Sequence, residues 1–94
     1  MSASFRLAET ATYRKSLDKL KNLSLEQRIR EIVYPEIVKS PLAGPNIKKL
    51  KGQYDLLYRF RIGDYRIFYL VDTTAKIIFL TEIHHRKDAY KRKK

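Results

Sequence analysis

The sequence predicts an α+β domain, with an N-terminal helical hairpin packed on a small, mainly antiparallel sheet of three to four strands. Two observations carry this expectation. Apolar residues recur every three or four positions in the first half of the chain and every second position in the second half. A Gly63-Asp64 pair then divides the second half into two strand-like runs. With 94 residues, the expected organisation is one domain spanning 1–94. A chain this small buries only about 60–65% of its unfolded surface, so the core must be modest.

The elements follow in order. Phe5, Arg6 and Leu7 suit a short opening strand. Over residues 10–22, Ala11, Tyr13, Leu17 and Leu20 draw one helical stripe that continues to Leu23, with Lys15, Asp18, Lys19 and Lys21 off it. Ser24 and Gln27 have the spacing of a capping box, so a second helix is expected to start at Ser24. Leu25, Ile29, Ile32, Val33 and Ile37 form its apolar side. Pro35 lacks an amide hydrogen and clashes with the preceding turn, so a kink or restart is expected there. The short link between the helices implies an antiparallel pair. Residues 40–46 read as a connection, and Lys48-Lys49-Leu50-Lys51-Gly52 leads out of it. Strands are expected over 55–62, 65–71 and 76–83, joined by turns at Gly63-Asp64 and at residues 72–75. A basic tail follows from His84.

Composition excludes several classes. Apolar residues make up 44% and charged residues 33%, a globular balance rather than a disordered one. Without cysteine there is no disulfide framework, thiolate nucleophile or Cys-ligated zinc. Two adjacent histidines and no evident carboxylate cluster argue against a metal site, and no cofactor motif is present. No apolar run approaches the roughly 18 residues of a membrane span. The N-terminal residues lack the long apolar stretch of a secretory signal, so the expected location is cytoplasmic, with no membrane partner.

Charge is the strongest signal. The formal net charge is +11, and residues 48–94 hold 13 basic residues against 5 acidic ones. Such a half-domain suits a polyanionic partner. Turning the chain at Gly63-Asp64 sets Ile62 opposite Tyr65, Arg61 opposite Arg66 and Arg59 opposite Phe68. Opposed residues share a face with Cβ atoms about 5 Å apart, and like charges so placed repel. Arg59, Arg61 and Arg66 therefore read as an anion site, since guanidinium forks fit phosphate oxygens. In the same count, Val71 opposes Lys76 and Arg66 opposes Thr81, which puts His85 on the arginine face and His84 on the other. A one-residue slip would exchange them. Histidine titrates near neutrality and suits proton transfer. Asp88 is the nearest carboxylate for orienting a histidine. Tyr90 suits either packing of the tail or stacking on a base. Lys49, Lys51, Arg86 and Lys87 supply further charge for RNA contacts.

The run Tyr58-Arg59-Phe60-Arg61-Ile62-Gly63-Asp64-Tyr65-Arg66-Ile67-Phe68-Tyr69, with His85-Arg86-Lys87-Asp88-Ala89-Tyr90, resembles the RelE/ParE toxin superfamily of type II toxin–antitoxin modules. The resemblance covers nearly the whole chain and favours the RelE-like branch. It implies a metal-independent endoribonuclease that cuts mRNA in the ribosomal A site, by 2′-hydroxyl attack on the adjacent phosphate. It also implies a cognate antitoxin. ParE-like members share the fold and poison DNA gyrase instead. By the same resemblance, Arg59 and Arg61 fall at basic strand positions that are often lysines. Arg66 falls on the transition-state arginine, and His84, Arg86 and Tyr90 fall near the C-terminal basic and tyrosine positions. Arginine cannot take over the role of a lysine base, because its pKa stays above about 12. A histidine is therefore expected to carry the proton.

Overall fold

The computed structural model describes residues 4–50 and 57–88. Lys51, Gly52, the expected first strand residues 55 and 56, Tyr90 and the basic end 91–94 lie outside the described residues.

The chain opens with β1 (Arg6–Glu9), one strand ahead of the helices. Thr10 ends it and caps α1 (Ala11–Leu20): its hydroxyl oxygen accepts the Tyr13 N–H and donates to Leu80 O at 2.7 Å. One side chain thus starts the helix and pins it to the sheet. Lys21 closes α1 in the left-handed region, φ 49°. The cap of the next helical run lies two residues before the expected Ser24. Asn22 is its cap and accepts the Leu25 N–H at 3.0 Å, while Ser24 lies inside α2 (Leu23–Arg28). Asparagine caps as well as serine, and the earlier start lengthens the helix. Gln27 donates forward to Glu31 instead of reaching back to a cap.

Pro35 acts as expected but without breaking the path. The helix widens into a π-helical turn over Ile29–Val33, where Tyr34 N–H reaches Ile29 O, and re-forms as α3 (Tyr34–Lys39). A proline in the first turn of α3 loses no needed donor. Tyr13 of α1 bonds Tyr34 of α3 through their hydroxyls at 2.8 Å. The start of one helical run therefore meets the end of the other, which makes the pair antiparallel.

The sheet has five strands, in the order β1-β5-β4-β3-β2. The extra strand is β2 (Ile47–Lys49), read from sequence as part of a connection. Three residues are too few to show a period, yet they pair antiparallel with β3 (Leu57–Ile62). Pairing is antiparallel between β3, β4 (Tyr65–Asp72) and β5 (Ile77–His85), and parallel between β1 and β5. Gly63 makes the β3–β4 turn at φ 56°, and the pairs Ile62–Tyr65, Arg61–Arg66 and Arg59–Phe68 form as the sequence count requires.

The β4–β5 register differs from the sequence count. The turn is residues 73–76, so Asp72 pairs with Ile77 and Val71 with Ile78 rather than Lys76. Asp72 Oδ1 accepts the N–H groups of Thr74 and Ala75, and Lys76 turns the chain at φ 61°. That shift of two preserves the faces. A bulge beyond Phe68/Tyr69 then adds one residue, and Thr81 Oγ1 donates to Phe68 O at 3.1 Å. Beyond the bulge, Arg66 opposes His84, not Thr81, and Tyr65 opposes His85.

The core lies between the helices and one sheet face. Tyr13, Leu17, Leu25, Ile29, Val33 and Ile37 meet Phe60, Ile62, Ile67, Tyr69, Ile78, Leu80 and Ile83. These strand residues alternate with residues that point to the opposite face, as the pleat requires.

Candidate functional site

The sheet face away from the helices gathers the charge. From β3 it receives Arg59 and Arg61, from β4 Arg66 and Phe68, and from β5 Glu82 and His84. Phe68 is 1% exposed in the middle of this group, while Arg61 is exposed and Arg59 and Arg66 are half-buried. Arg66 Nη1 donates to Gly63 O at 3.1 Å and Tyr65 O at 3.0 Å, which holds its guanidinium over the β3–β4 turn. Arg61 stands directly across from it.

The bulge reverses the expected placement of the histidines. His84 shares the arginine face, opposite Arg66, and His85 points to the helix side, opposite Tyr65. The one-residue slip is the cause: it carries every later side chain of β5 to the other face. His84 Nε2 lies 2.9 Å from Glu82 Oε1, and its ring meets Phe68 edge-on at 6.3 Å. His85 Nδ1 instead accepts the Lys87 N–H at 3.2 Å, and its ring meets Tyr65 edge-on at 5.4 Å.

The carboxylate that partners a histidine is therefore Glu82, not Asp88. Asp88 turns its backbone N–H to His85 O. It also lines a groove of about 500 Å³ between α1 and the end of β5, with Lys15, Lys19 and both histidines. Arg86 leaves the strand end beside Asp64, to which it is bonded by its backbone at 2.7 Å and paired by its side chain at 3.8 Å. Arg86 and Lys87 are exposed at this corner.

Lys49 pairs with Tyr58 and so belongs to the helix-side face, at the β2 edge. Its neighbour Lys48 pairs with Arg59 and joins the arginine face. Sequence reasoning missed Lys48 and Glu82. Reading Ile47-Lys48-Lys49 as a strand would have separated the two lysines by alternation. Glu82 needed the bulge. Lys51 and Tyr90 lie outside the described residues, so the structure brings together Arg59, Arg61, Arg66 and His84 of the expected group. Among the described residues, no cluster of three or more histidine or acidic side chains is placed to hold a metal ion, and no helix is long and apolar enough to cross a membrane.

This geometry is a cationic sheet face with one histidine set into it by a bulge. Comparison with known proteins shows the family of the chain. Residues 7–90 match the family model described as the ParE toxin of the type II toxin–antitoxin system. A candidate toxin, RelE1, of Methanocaldococcus jannaschii is 46% identical over 46 residues. That match covers 49% of this chain, and the chain spans about half the length of that relative, 50%. Among solved structures, the archaeal RelE–RelB complex of Pyrococcus horikoshii has a chain similar at TM-score 0.74 and 29% identity, covering 93% of this chain and 100% of that one. The RelBE2 toxin–antitoxin complex of Mycobacterium tuberculosis gives TM-score 0.78 at 23% identity, covering 89% and 100%, a likeness of fold. With residues 7–90 of the chain matched by the family model and a solved archaeal relative similar in fold, this chain belongs to the ParE toxin family of type II toxin–antitoxin systems, within the RelE/ParE superfamily.

Proposed function

We propose that the protein is the toxin of such a module and acts as a metal-independent endoribonuclease on mRNA in the ribosomal A site. The observation that supports this most is the direct opposition of His84 to Arg66, itself opposed to Arg61. Arginines bind phosphate oxygens but cannot accept a proton. A histidine beside them supplies the missing proton acceptor. Attack of the 2′-hydroxyl oxygen on phosphorus puts extra negative charge on the equatorial oxygens. Arg59, Arg61 and Arg66 form the cationic surface that stabilises it. Arg86 and Lys87, exposed at the same corner, extend the phosphate contacts; Lys51 and Tyr90 are further proposed contacts. A domain this small leaves little room for a sequence-reading pocket, so the ribosome positions the strand.

The partner of the free toxin is a cognate antitoxin. The archaeal and mycobacterial relatives were solved in toxin–antitoxin complexes. An acidic segment laid over Arg59, Arg61 and Arg66 would neutralise the face and block RNA at once.

The matched family model is that of ParE toxins, which favours a second reading: a non-enzymatic inhibitor of DNA gyrase. One experiment separates the two. Purified toxin is added to an in vitro translation reaction, with mRNA ends mapped, and in parallel to a gyrase supercoiling reaction. Cuts ending in 2′,3′-cyclic phosphate, with gyrase unaffected, are expected. Gyrase inhibition with intact mRNA would overturn the ribonuclease reading.

A further inference from the structure

We infer that Glu82 is a positioning residue that fixes His84, and not His85, as the proton acceptor for the 2′-hydroxyl, with Nδ1 as the accepting atom. This rests on the ribonuclease reading above.

The two histidines are adjacent in sequence but chemically unlike. Glu82 and His84 are two apart on β5, so their side chains leave the same face. The bond between them joins Oε1 and Nε2 at 2.9 Å, with side chains only 21% and 29% exposed. An ionised carboxylate only accepts hydrogen bonds. Nε2 must therefore carry the hydrogen, and in the neutral ring Nδ1 carries the lone pair. Among the described residues, Nδ1 of His84 has no bonded protein partner. His85 is the reverse case: its Nδ1 is occupied by the Lys87 N–H. Its ring also lies on the helix side, away from the arginines.

Orientation is fixed from two sides. Glu82 holds the ring at Nε2, and the ring edge rests against the almost fully buried Phe68. The charged groups facing His84 act in opposite senses. Arg66 from β4 stands directly opposite His84 and repels a positive ring. Glu82 favours the imidazolium as the proton arrives. Lys15 and Lys19 of α1 and Asp88 line the groove on the far side. In the step itself, Nδ1 takes the 2′-hydroxyl proton, the O2′–P bond forms and the P–O5′ bond breaks. The leaving 5′-oxygen takes a proton from water, and the imidazolium returns its own to solvent.

The test uses the full chain and the variants Glu82→Ala and Glu82→Gln. Nitrogen-15 NMR of the imidazoles is expected to show the Nε2–H tautomer for His84 in the parent and a mixture of tautomers in Glu82→Ala. In the translation reaction, Glu82→Ala should lower kcat by about 10–100-fold, with KM for programmed ribosomes changed less than about twofold. Glu82→Gln keeps an acceptor but no charge, and should retain the Nε2–H tautomer and most of kcat. Circular dichroism confirms that each variant folds, and Glu82→Gln alone decides if Glu82→Ala does not. A parent His84 carrying hydrogen on Nδ1, a kcat unmoved by Glu82→Ala, or a Glu82→Gln variant that loses the tautomer or most of kcat would overturn the inference and leave the ribonuclease reading intact. A parent that leaves mRNA uncut and inhibits gyrase would remove the reading itself, whatever the NMR shows.

Discussion

The two faces of the sheet follow opposite rules. Toward the helices, β3 and β4 present Phe60, Ile62, Ile67 and Tyr69, all 6% exposed or less. Their polar atoms are all matched: Tyr69 Oη donates to Pro41 O at 2.7 Å, and Tyr13, Tyr34 and Glu9 form a relay of hydroxyls and carboxylate. Toward the other side, the same strands present Arg59, Arg61 and Arg66, with two like charges directly opposed. Burial of the apolar face stabilises the fold by about 25 cal/mol per Å². Arginine opposition costs stability and adds none. One sheet thus keeps its apolar core on one surface and its arginines on the other, and neighbouring residues on a strand should fail in different ways.

Arg66 and Ile67 give the largest contrast. Arg66→Ala removes a guanidinium aimed at the anion site, and mRNA cleavage should fall about 10²–10³-fold. Its melting temperature should change little, because relief of the repulsion with Arg61 offsets the loss of the bonds to Gly63 O and Tyr65 O. Ile67→Ala opens a cavity at a residue 0% exposed and should cost about 2–5 kcal/mol, or roughly 4–8 °C per kcal/mol. Cleavage per folded molecule should stay near that of the parent. Thermal melts and mapped translation reactions on the same preparations check both. A stable, fully active Arg66→Ala would erase the functional half of the contrast.

The hydroxyl relay sharpens the stability half. Tyr34 donates to Glu9 Oε2 at 2.7 Å, so Tyr13 donates to Tyr34. Tyr34→Phe leaves the fully buried Tyr13 hydroxyl without an acceptor and should cost about 1–3 kcal/mol. Tyr13→Phe removes the buried donor and leaves Tyr34 bonded to Glu9, so the cost should be about 1 kcal/mol or less. Urea titrations with matched m-values would measure the difference, and equal losses would mean the donor order is reversed.

The same tyrosines set an alkaline limit. Burial pushes Tyr13 from 10.0 up to about 12 and raises Tyr34 and Tyr69 further. Above pH 10 the unfolded phenols lose protons that the folded ones retain. The folded state then binds more protons, so stability is intact below pH 10 and falls as pH rises toward 12. For Tyr13 alone that fall amounts to about 3 kcal/mol. Denaturant midpoints between pH 9 and about 12 should decline in the parent and decline less in Tyr13→Phe.

Much of this contrast is legible in the sequence, for a definable reason. The β3–β4 hairpin follows from strict alternation and a glycine that reaches positive φ, so the opposition of Arg61 and Arg66 can be counted by hand. The histidines cannot be counted that way. Their faces depend on a bulge held by the Thr81 hydroxyl on Phe68 O. Nothing local distinguishes that threonine from any other strand threonine. Glu82 and His84, two apart, share a face by alternation alone, but the bulge decides which face that is. The second helix starts ahead of the Ser24 capping box because Asn22, two residues earlier, caps as well as serine does. β2 was missed because strand periodicity needs about four residues to show, and it has three.

That short strand supplies the smallest and most specific test of the two-faced design. Lys48 and Lys49 are adjacent, both exposed, and carry the same charge, so composition treats them alike. Register does not: Lys48 opposes Arg59 on the arginine face, and Lys49 opposes Tyr58 on the helix side. A phosphate lying along Arg59 and Arg61 comes within reach of the Lys48 ammonium and not of the Lys49 ammonium. Each phosphate neutralised on a single strand contributes about 0.7 to the slope of log affinity against log salt. Binding of a labelled single-stranded RNA to the purified toxin should therefore lose about one such contact in Lys48→Ala, with affinity down several-fold at low salt and a shallower slope. Lys49→Ala should keep the parental slope and change affinity only through net charge, an effect that Debye screening removes near 0.15 M salt. Equal slopes for the two variants would mean that RNA does not distinguish the faces at the β2 edge, and would confine the anion site to β3, β4 and β5.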